Sequence, residues 1–600
     1  MYKPAPPRPR KTHIVRARTG CRNCRNRRKK CDERRPSCSA CVRLGTQCDG
    51  YGAKLKFRNV SFEPRAHSGL LSEADSSDGV VSDTFMVPEL APHTAKSMNH
   101  RLVLSQTPFG TVPHLDITMK PSKESFYMSV WGNQCAPALH PIFHRLALVH
   151  NISRVVLDTM MALAARQLSR MLPRARESGS LDVLGSSFRP DLQQQCVSQE
   201  FSSCAIRNVA KWTRTEFEHD STTALAVLIL FCYLESLMSN FQGFYLHSAA
   251  IETLMNTQEG HINNPSRHGA DLLAAWVQSK LHNWWRRFHF STPSFQRDHP
   301  PLTFQPAVLS TADHSRVSVL MILCESYRLT AAILMHHYSN TVDTEFTQRS
   351  VKDRLGMEEL FSVESSAFLI AQEQQLKYQE DALSDWYARL PSSELPIDSY
   401  STARSNITGK PTDLQIQPLR FRSHDAAMNF AYYVVARVMR CSEFLGYLQP
   451  SQIVTETREA CGIVGPWIIL LLRIAAGMDW ESCTRLNSYT VGISSLLLAC
   501  VLRSSNPAVG LWVQDWLNER YLEGSLEEGS FPIFQVLQVL RVINQERNFD
   551  RHIYAVCQPI DDGGGVGKFD SYNSQRLGSV SVYGWCVGSS CFYSRYIVLE

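Results

Sequence analysis

Between about residues 125 and 555 the apolar positions recur with a helical period. "ISRVVLDTMMALAARQLSRML" (Ile152–Leu172) sets apolar side chains at i, i+3 and i+4, the spacing of one helix face. "TTALAVLILFCYLESLM" (Thr222–Met238) is apolar around most of its circumference and predicts a helix deep in a core. "GFYLHSAAIETLM" (Gly243–Met255) follows after a short break and predicts an antiparallel partner for it. The same period returns in "DLLAAWVQSKLHNWWRRF", "VSVLMILCESYRLTAAILMHH", "AAMNFAYYVVARVMRCSEFL" and "PIFQVLQVLRVINQER". The most apolar run, "GIVGPWIILLLRIAAG" (Gly462–Gly477), contains Pro466 and is cut by Arg473, so it predicts a buried helix and not a bilayer span. Strand-like alternation is scarce before residue 575. The expected fold class is therefore mostly all-α, with one large helical body over 125–555. Beyond it, "DDGGGVGKFDSYNSQ" is rich in Gly and Ser, and "SVSVYGWCVGSSCFYSRYIVLE" alternates weakly like strands. Residues 556–600 are set apart as a tail of unassigned role.

The pattern fails upstream. Residues 52–124 are interrupted by Pro64, Pro88, Pro92, Pro108 and Pro113 and carry the acidic run "SEADSSDGVVSD" (Ser72–Asp83), which predicts a largely disordered linker. No sustained a/d heptad follows the N-terminal region, so the sequence leaves a homodimer open. Residues 1–18 form a Pro-rich basic arm expected to be disordered. Charge sharpens this division. Residues 1–58 hold 18 Lys/Arg against three acids, whereas the remaining chain holds 44 Lys/Arg against 53 Asp/Glu. A basic head on a mildly acidic body points to a polyanion at the N-terminal end. No apolar helical face accompanies those charges, which argues against a membrane surface. No apolar signal-peptide core precedes them either.

Six of the 18 cysteines crowd into this head: Cys21, Cys24, Cys31, Cys38, Cys41 and Cys48. Their spacing, C-x2-C-x6-C, occurs twice, seventeen residues apart. A C-x2-C pair lets two thiolates grip one metal ion at a turn, and six residues form about two helical turns before the third thiolate returns. Two tetrahedral Zn²⁺ ions need eight thiolate positions, but the six cysteines supply fewer, so two sulfurs must bridge. By the symmetry of the repeat these are Cys21 and Cys38. So small a segment has almost no apolar core, and metal must supply its fold, about 10 kcal/mol or more for structural zinc. The halves share spacing but not charge. "RNRRKK" lies between Cys24 and Cys31, and "VRLGTQ", with Arg43 alone, between Cys41 and Cys48. That asymmetry predicts that the first half meets the polyanion and the second supports it.

The stretch "TGCRNCRNRRKKCDERRPSCSACVRLGTQCDGY" (Thr19–Tyr51), with its Cys31–Asp32 step and loop Pro36, resembles the fungal six-cysteine binuclear zinc cluster transcription factors. The resemblance implies a cluster domain over 19–51 that docks in the DNA major groove over a CGG-like triplet, with base readout at the position of Arg28, beside Arg27. Many members carry lysine there, so Arg28 is a mild departure. Arginine can bond guanine O6 and N7 bidentately, for about 1–3 kcal/mol of discrimination. Lys29, Lys30, Arg25 and Arg22 are expected on phosphates, giving affinity and salt dependence. The basic arm and "RNRRKK" also suit nuclear import, so the nucleus is the expected compartment.

The body resembles the fungal-specific transcription factor domain in "LAVLILFCYLESLMSNFQGFYLHSAAIETLM", "LRIAAGMDWESC" and "EGSLEEGSFPIFQVLQVLR". That resemblance implies a regulatory role, often over metabolic or biosynthetic genes. Two roles are open to such a body: a small-molecule effector site between helices, and a scaffold for coactivator or corepressor contacts. Enzyme motifs fail. "GGGVGKF" has Asp562 where a phosphate loop needs Gly, and Phe569 where it needs Ser or Thr. "GISSL" (Gly492–Leu496) lacks the last glycine of a nucleophile elbow. His336 and His337 show no ligand spacing, and Cys586 and Cys591 have no further ligands nearby in sequence. The expected protein is a non-enzymatic, nuclear, zinc-dependent regulator of RNA polymerase II transcription bound to double-stranded DNA. The rival is a chromatin-associated nucleic-acid-binding protein without transcriptional output.

Overall fold

A computed structural model describes residues 21, 23–24, 27, 31–32, 38–46, 48, 122–149, 152–171, 174–175, 188–189, 191–213, 215, 220–238, 240–257, 267–304, 315–347, 358–397, 414–440, 464–524, 526–529, 531–559, 577–589 and 591–599. The chain divides into two compact units, Met1–Asp116 and Ile117–Glu600. The first contains helix α1 (Ser39–Arg43). In the second, α2 (Lys123–Val130) runs through a π turn (Trp131–Cys135) and a 3-10 turn (Ala136–Ala138) into α3 (Pro141–Ala147) and α4 (Arg154–Met171). A two-rung hairpin, β1 (Arg174–Ala175) with β2 (Phe188–Arg189), leads to α5 (Leu192–Val209), α6 (Ser221–Leu237), α7 (Phe241–Thr257), α8 (Arg267–His289) and α9 (Pro293–Asp298). Two long helices follow, α10 (Ser315–Thr347) and α11 (Glu358–Ala388), then α12 (His424–Arg440), α13 (Val464–Gly477), α14 (Trp480–Leu486), α15 (Ile493–Val501) and α16 (Pro507–Leu522). The chain closes with the β3 (Glu527–Glu528) and β4 (Phe531–Pro532) pair, α17 (Ile533–Arg547), and an antiparallel sheet of β5 (Arg551–Cys557), β6 (Ser579–Cys586) and β7 (Cys591–Val598) in that order.

Local chemistry sets where the helices begin. Asp191, Asp220 and Asp479 each accept a hydrogen bond from a backbone N–H three residues on, at the starts of α5, α6 and α14. Thr292–Pro293 and Asn506–Pro507 pair a capping side chain with a proline whose missing N–H costs nothing at that position. Packing does the rest. α6 is buried on nearly every face and lies against α4, α7 and α8, as its all-round apolar pattern requires. Helix α10 packs against α8, α9, α11 and α12. Among the described residues, Arg316–Ser339 of α10 is long and apolar enough to cross a membrane, and 83% of its most apolar window is buried inside the protein. Of the run expected as a buried helix, Val464–Gly477 forms α13, with Ile468, Leu471, Leu472 and Ile474 in the core.

The tail differs from its expectation. The division at 555 falls inside β5, and residues 577–599 belong to the same compact unit as the helices. One face of the sheet places Ile553, Val556, Val580 and Val582 in the main core. The other packs Tyr554, Tyr583, Trp585 and Phe592 on Leu329, Ile333, Leu334 and Tyr338 of α10. β5 and β6 are covered on both faces over most of their length, whereas the edge strand β7 is mostly exposed.

One buried anion organises the middle of the body. The Glu528 carboxylate accepts from the Ile493 N–H at 3.0 Å, the Ser494 N–H at 2.9 Å, the Ser494 hydroxyl at 2.7 Å and the Asn487 side-chain amide at 2.6 Å. It therefore satisfies the first N–H groups of α15, where the helix dipole favours negative charge. The close fit explains Gly492, where a Cβ would sit 2.4 Å from the carboxylate, and Gly529, which has φ +58° and lies against Gly492. The glycine of "GISSL" thus makes room for a carboxylate and forms no nucleophile elbow.

Candidate metal centre and nucleic-acid interface

The two C-x2-C segments fold alike. The Cys24 N–H donates to Cys21 Sγ at 3.4 Å, and the Cys41 N–H donates to Cys38 Sγ at 3.4 Å. Each pair thus turns its second cysteine back beneath the first, at the start of a helical turn. In the second half that turn is α1, and its ends are defined. The Ser39 N–H donates to Asp32 Oδ1 at 3.1 Å and Oδ2 at 3.3 Å, so the residue after Cys31 caps the helix after Cys38. At the other end Gly45 has φ +58°, its N–H bonds the Val42 carbonyl and the Thr46 N–H bonds the Cys41 carbonyl. This is a Schellman stop, and it needs a residue that tolerates a left-handed backbone. It ends α1 in time for Cys48 to return to the cluster. In the first half Asn23 and Cys24 are helical, and the Arg27 N–H bonds the Asn23 carbonyl at 3.1 Å.

The six sulfurs converge in two overlapping groups. Cys21, Cys24, Cys31 and Cys38 hold their sulfurs within 4.8 Å of one another, and so do Cys21, Cys38, Cys41 and Cys48. Cys21 and Cys38 belong to both groups. The sulfurs of Cys21 and Cys38 are 3.7 Å apart, those of Cys21 and Cys41 3.7 Å, and those of Cys24 and Cys38 3.6 Å. A tetrahedral zinc with Zn–S bonds of about 2.3 Å spaces its sulfurs ~3.8 Å apart, so the donors fit zinc in both kind and spacing. Crowding makes them poor acids alone. The Cys38 thiol hydrogen-bonded to Cys41, together with burial, pushes the Cys41 thiol up to about 12, and burial raises Cys21. A bound dication reverses that balance and holds the sulfurs as thiolates. Among the described residues Cys21, Cys24, Cys38 and Cys41 are buried with only Cys31, Ala40 and Cys48 packed against them, so a metal here would take the place of an apolar core.

Of the expected nucleic-acid contacts, Arg27 is exposed on the first half. Arg22, Arg25, Arg28, Lys29 and Lys30 lie outside the described residues, as do the arm 1–18 and the linker up to residue 121. Sequence reading missed the Asp32 cap and the Gly45 stop. Both left signals: an acid just after a ligand cysteine, and a glycine just after a short helical run. In the body, a cavity of about 370 Å³ lies among Gln134, Gln167, Arg170, Glu481, Arg485 and Glu527. There the Arg170 guanidinium is held by Glu527 and the Leu237 carbonyl.

Residues 19–57 match the fungal Zn(2)-Cys(6) binuclear cluster domain. The chain is 32% identical over 114 residues to "Pestheic acid cluster transcriptional regulator 3" of Pestalotiopsis fici, covering 19% of this chain and 20% of that protein. It is 58% identical over 36 residues to "Aspercryptin biosynthesis cluster-specific transcription regulator atnN" of Emericella nidulans, 6% of each chain. To "Transcriptional regulatory protein pro1" of Neurospora crassa it is 62% identical over 34 residues, 6% of this chain and 5% of that one. The chain thus spans a fifth or less of the length of the relatives it matches. No solved structure matches it to a significant level. By the cysteine spacing, the convergent sulfurs and the family match, residues 19–57 belong to the fungal Zn(2)-Cys(6) binuclear cluster domain family.

Proposed function

We propose that this protein is a nuclear, zinc-dependent, sequence-specific DNA-binding regulator of RNA polymerase II transcription. The observation that carries the reading is the pair of overlapping four-sulfur groups sharing Cys21 and Cys38, in the segment that belongs to the cluster family. Two Zn²⁺ ions fill such a framework, with Cys21 and Cys38 bridging. The cluster then presents the basic first half to the DNA major groove over a CGG-like triplet. Arg28 reads bases beside Arg27, and Arg22, Arg25, Lys29 and Lys30 hold phosphates. The helical body is the regulatory domain, as its resemblance to the fungal-specific transcription factor domain suggests, and it addresses coactivators or corepressors. The cavity between α4 and the β3 region is where a small-molecule effector would enter. Two relatives are named for the biosynthetic gene clusters they regulate, which supports a biosynthetic pathway as the target.

The test uses the full chain loaded with zinc and a panel of duplexes differing in one triplet. Binding to the CGG-containing duplex is expected to be lost on chelation and restored by zinc. Arg28→Ala should flatten the preference among triplets, whereas Lys30→Ala should weaken all duplexes alike and shallow the salt slope by about 1. An intact preference in Arg28→Ala would overturn the base-reading assignment. Occupied sites whose neighbouring genes keep their expression after deletion would favour a chromatin-associated role instead.

A further inference from the structure

The β6–β7 hairpin holds two cysteines that the metal centre does not use. A turn at 587–589 follows β6, and the strand register sets Cys586 directly opposite Cys591 on the last rung. Opposed residues of an antiparallel pair project to the same face, with Cβ atoms about 4.5–5.5 Å apart. Their Cα separation of about 4.5–5.5 Å lies inside the ~4.4–6.8 Å range of bonded cystines. Cys591 is exposed and Cys586 half-buried.

The surroundings favour a reactive sulfur. The Ser589 hydroxyl lies 3.0 Å from Cys591 Sγ. Cys586 sits by the same turn, beside Gly588 and Ser589, and its partner across β5 is Arg551, itself paired with Glu546. The turn residues, Ser589 first, hold the Cys586 thiol below its ordinary range. The contrast is internal. Cys135, Cys232, Cys324, Cys500 and Cys557 are buried, and burial raises each of them. Cys196 on α5 is exposed but has no register partner.

We propose that Cys586 and Cys591 are a hydroperoxide-responsive dithiol that closes to a disulfide across the mouth of the β6–β7 hairpin. The Cys586 thiolate attacks the hydroperoxide, the O–O bond breaks, and the departing oxygen leaves as an alcohol or water after taking up a proton. Cys586 becomes a sulfenic acid. The Cys591 sulfur then displaces the sulfenic oxygen, its own proton leaving with that oxygen as water, and the S–S bond forms. In balance, one hydroperoxide is reduced by two electrons while two thiols become one disulfide, releasing one alcohol or water and one further water. A cellular thiol can reverse the step. The new bond lies one rung from Trp585 and Phe592, and Phe592 packs 4.3 Å from His337 and 5.6 Å from Tyr338 of α10. The hairpin is therefore tied to a core helix of the body next to where the bond closes.

The experiment treats reduced, zinc-loaded, full-length protein with hydrogen peroxide, then maps each cysteine by differential alkylation and mass spectrometry while a dye follows zinc release. The expected result is loss of two hydrogens in the 586–591 segment before Cys196 oxidises and before zinc is released. Cys586 should also alkylate several-fold faster than Cys196 at neutral pH. Cys591→Ser should accumulate a dimedone-reactive sulfenate at Cys586, and Cys586→Ser should leave Cys591 no faster than Cys196. Both changes lie at a surface turn, and unchanged circular dichroism verifies folding. Oxidation of Cys196 or release of zinc ahead of the pair, or no sulfenate in Cys591→Ser, would overturn the proposal.

Discussion

Glu528 offers the most exacting test of the body's architecture. Its two oxygens accept four hydrogen bonds, Oε1 from the Ile493 N–H and the Asn487 amide, Oε2 from the Ser494 N–H and hydroxyl. Glu528→Ala strands two backbone donors and one amide at a buried helix start. At about 1–3 kcal/mol for each of these stranded donors, the loss is expected to be on the order of 3–9 kcal/mol. Glu528→Gln keeps the shape but turns an NH2 toward donors already there, for an expected loss of about 1–3 kcal/mol. The pH dependence separates the two effects. Burial outweighs the four donors and raises the Glu528 carboxyl above its ordinary value of 4.5. The native state therefore holds the proton to higher pH than the unfolded chain. The stability this contributes is complete below the unfolded value and is lost as pH rises through the raised folded one. Glu528→Gln lacks that dependence, so its deficit against the wild type should narrow as pH rises above about 4.5. Urea unfolding followed by tryptophan fluorescence at several pH values, with amide exchange at Ile493 and Ser494, measures both. A Glu528→Ala protein within about 1 kcal/mol of wild type, with unchanged exchange at those amides, would refute the reasoning.

Other changes probe each unit separately. Removing zinc with a chelator should unfold the 21–48 segment and abolish DNA binding, while the far-ultraviolet circular dichroism of the helical body stays nearly unchanged. Asp32→Ala removes the cap on α1 and should cost about 0.5–2 kcal/mol, read as faster zinc loss to a competing chelator with all six cysteines intact. Gly477→Ala would place a Cβ 2.1 Å from the Leu419 carbonyl oxygen, which is backbone and cannot swing aside. The expected loss is about 1–3 kcal/mol in urea unfolding, with the contact between α13 and the 414–420 segment opening first in amide exchange.

What could be read from the sequence divides along the range of the interactions. The convergence of the six cysteines was legible because its information is local: two identical spacings within residues 21–48. The helices were legible for the same reason, since α4, α6 and α7 carry their period within a few turns. The closing sheet was only half legible. Val580 and Val582 point into the main core while Tyr583 and Trp585 pack toward α10, so the Ser/Val alternation that opens β6 breaks off after Val582. Glu528 was not legible at all. In "SLEEGS" two adjacent glutamates look alike, yet Glu527 pairs with Arg170 at a separation of 357 residues and Glu528 turns inward to cap α15. No periodicity decides between them, because the deciding partners are brought together only by the completed fold. The cluster makes the same point in miniature. Both halves share the C-x2-C turn and its N–H···S bond, but the second is closed by Gly45 in a left-handed conformation, and "RNRRKK" contains no glycine that could close the first in this way. The frame is thus repeated where local geometry demands it. The halves diverge where one must end a helix and the other must carry charge to a partner.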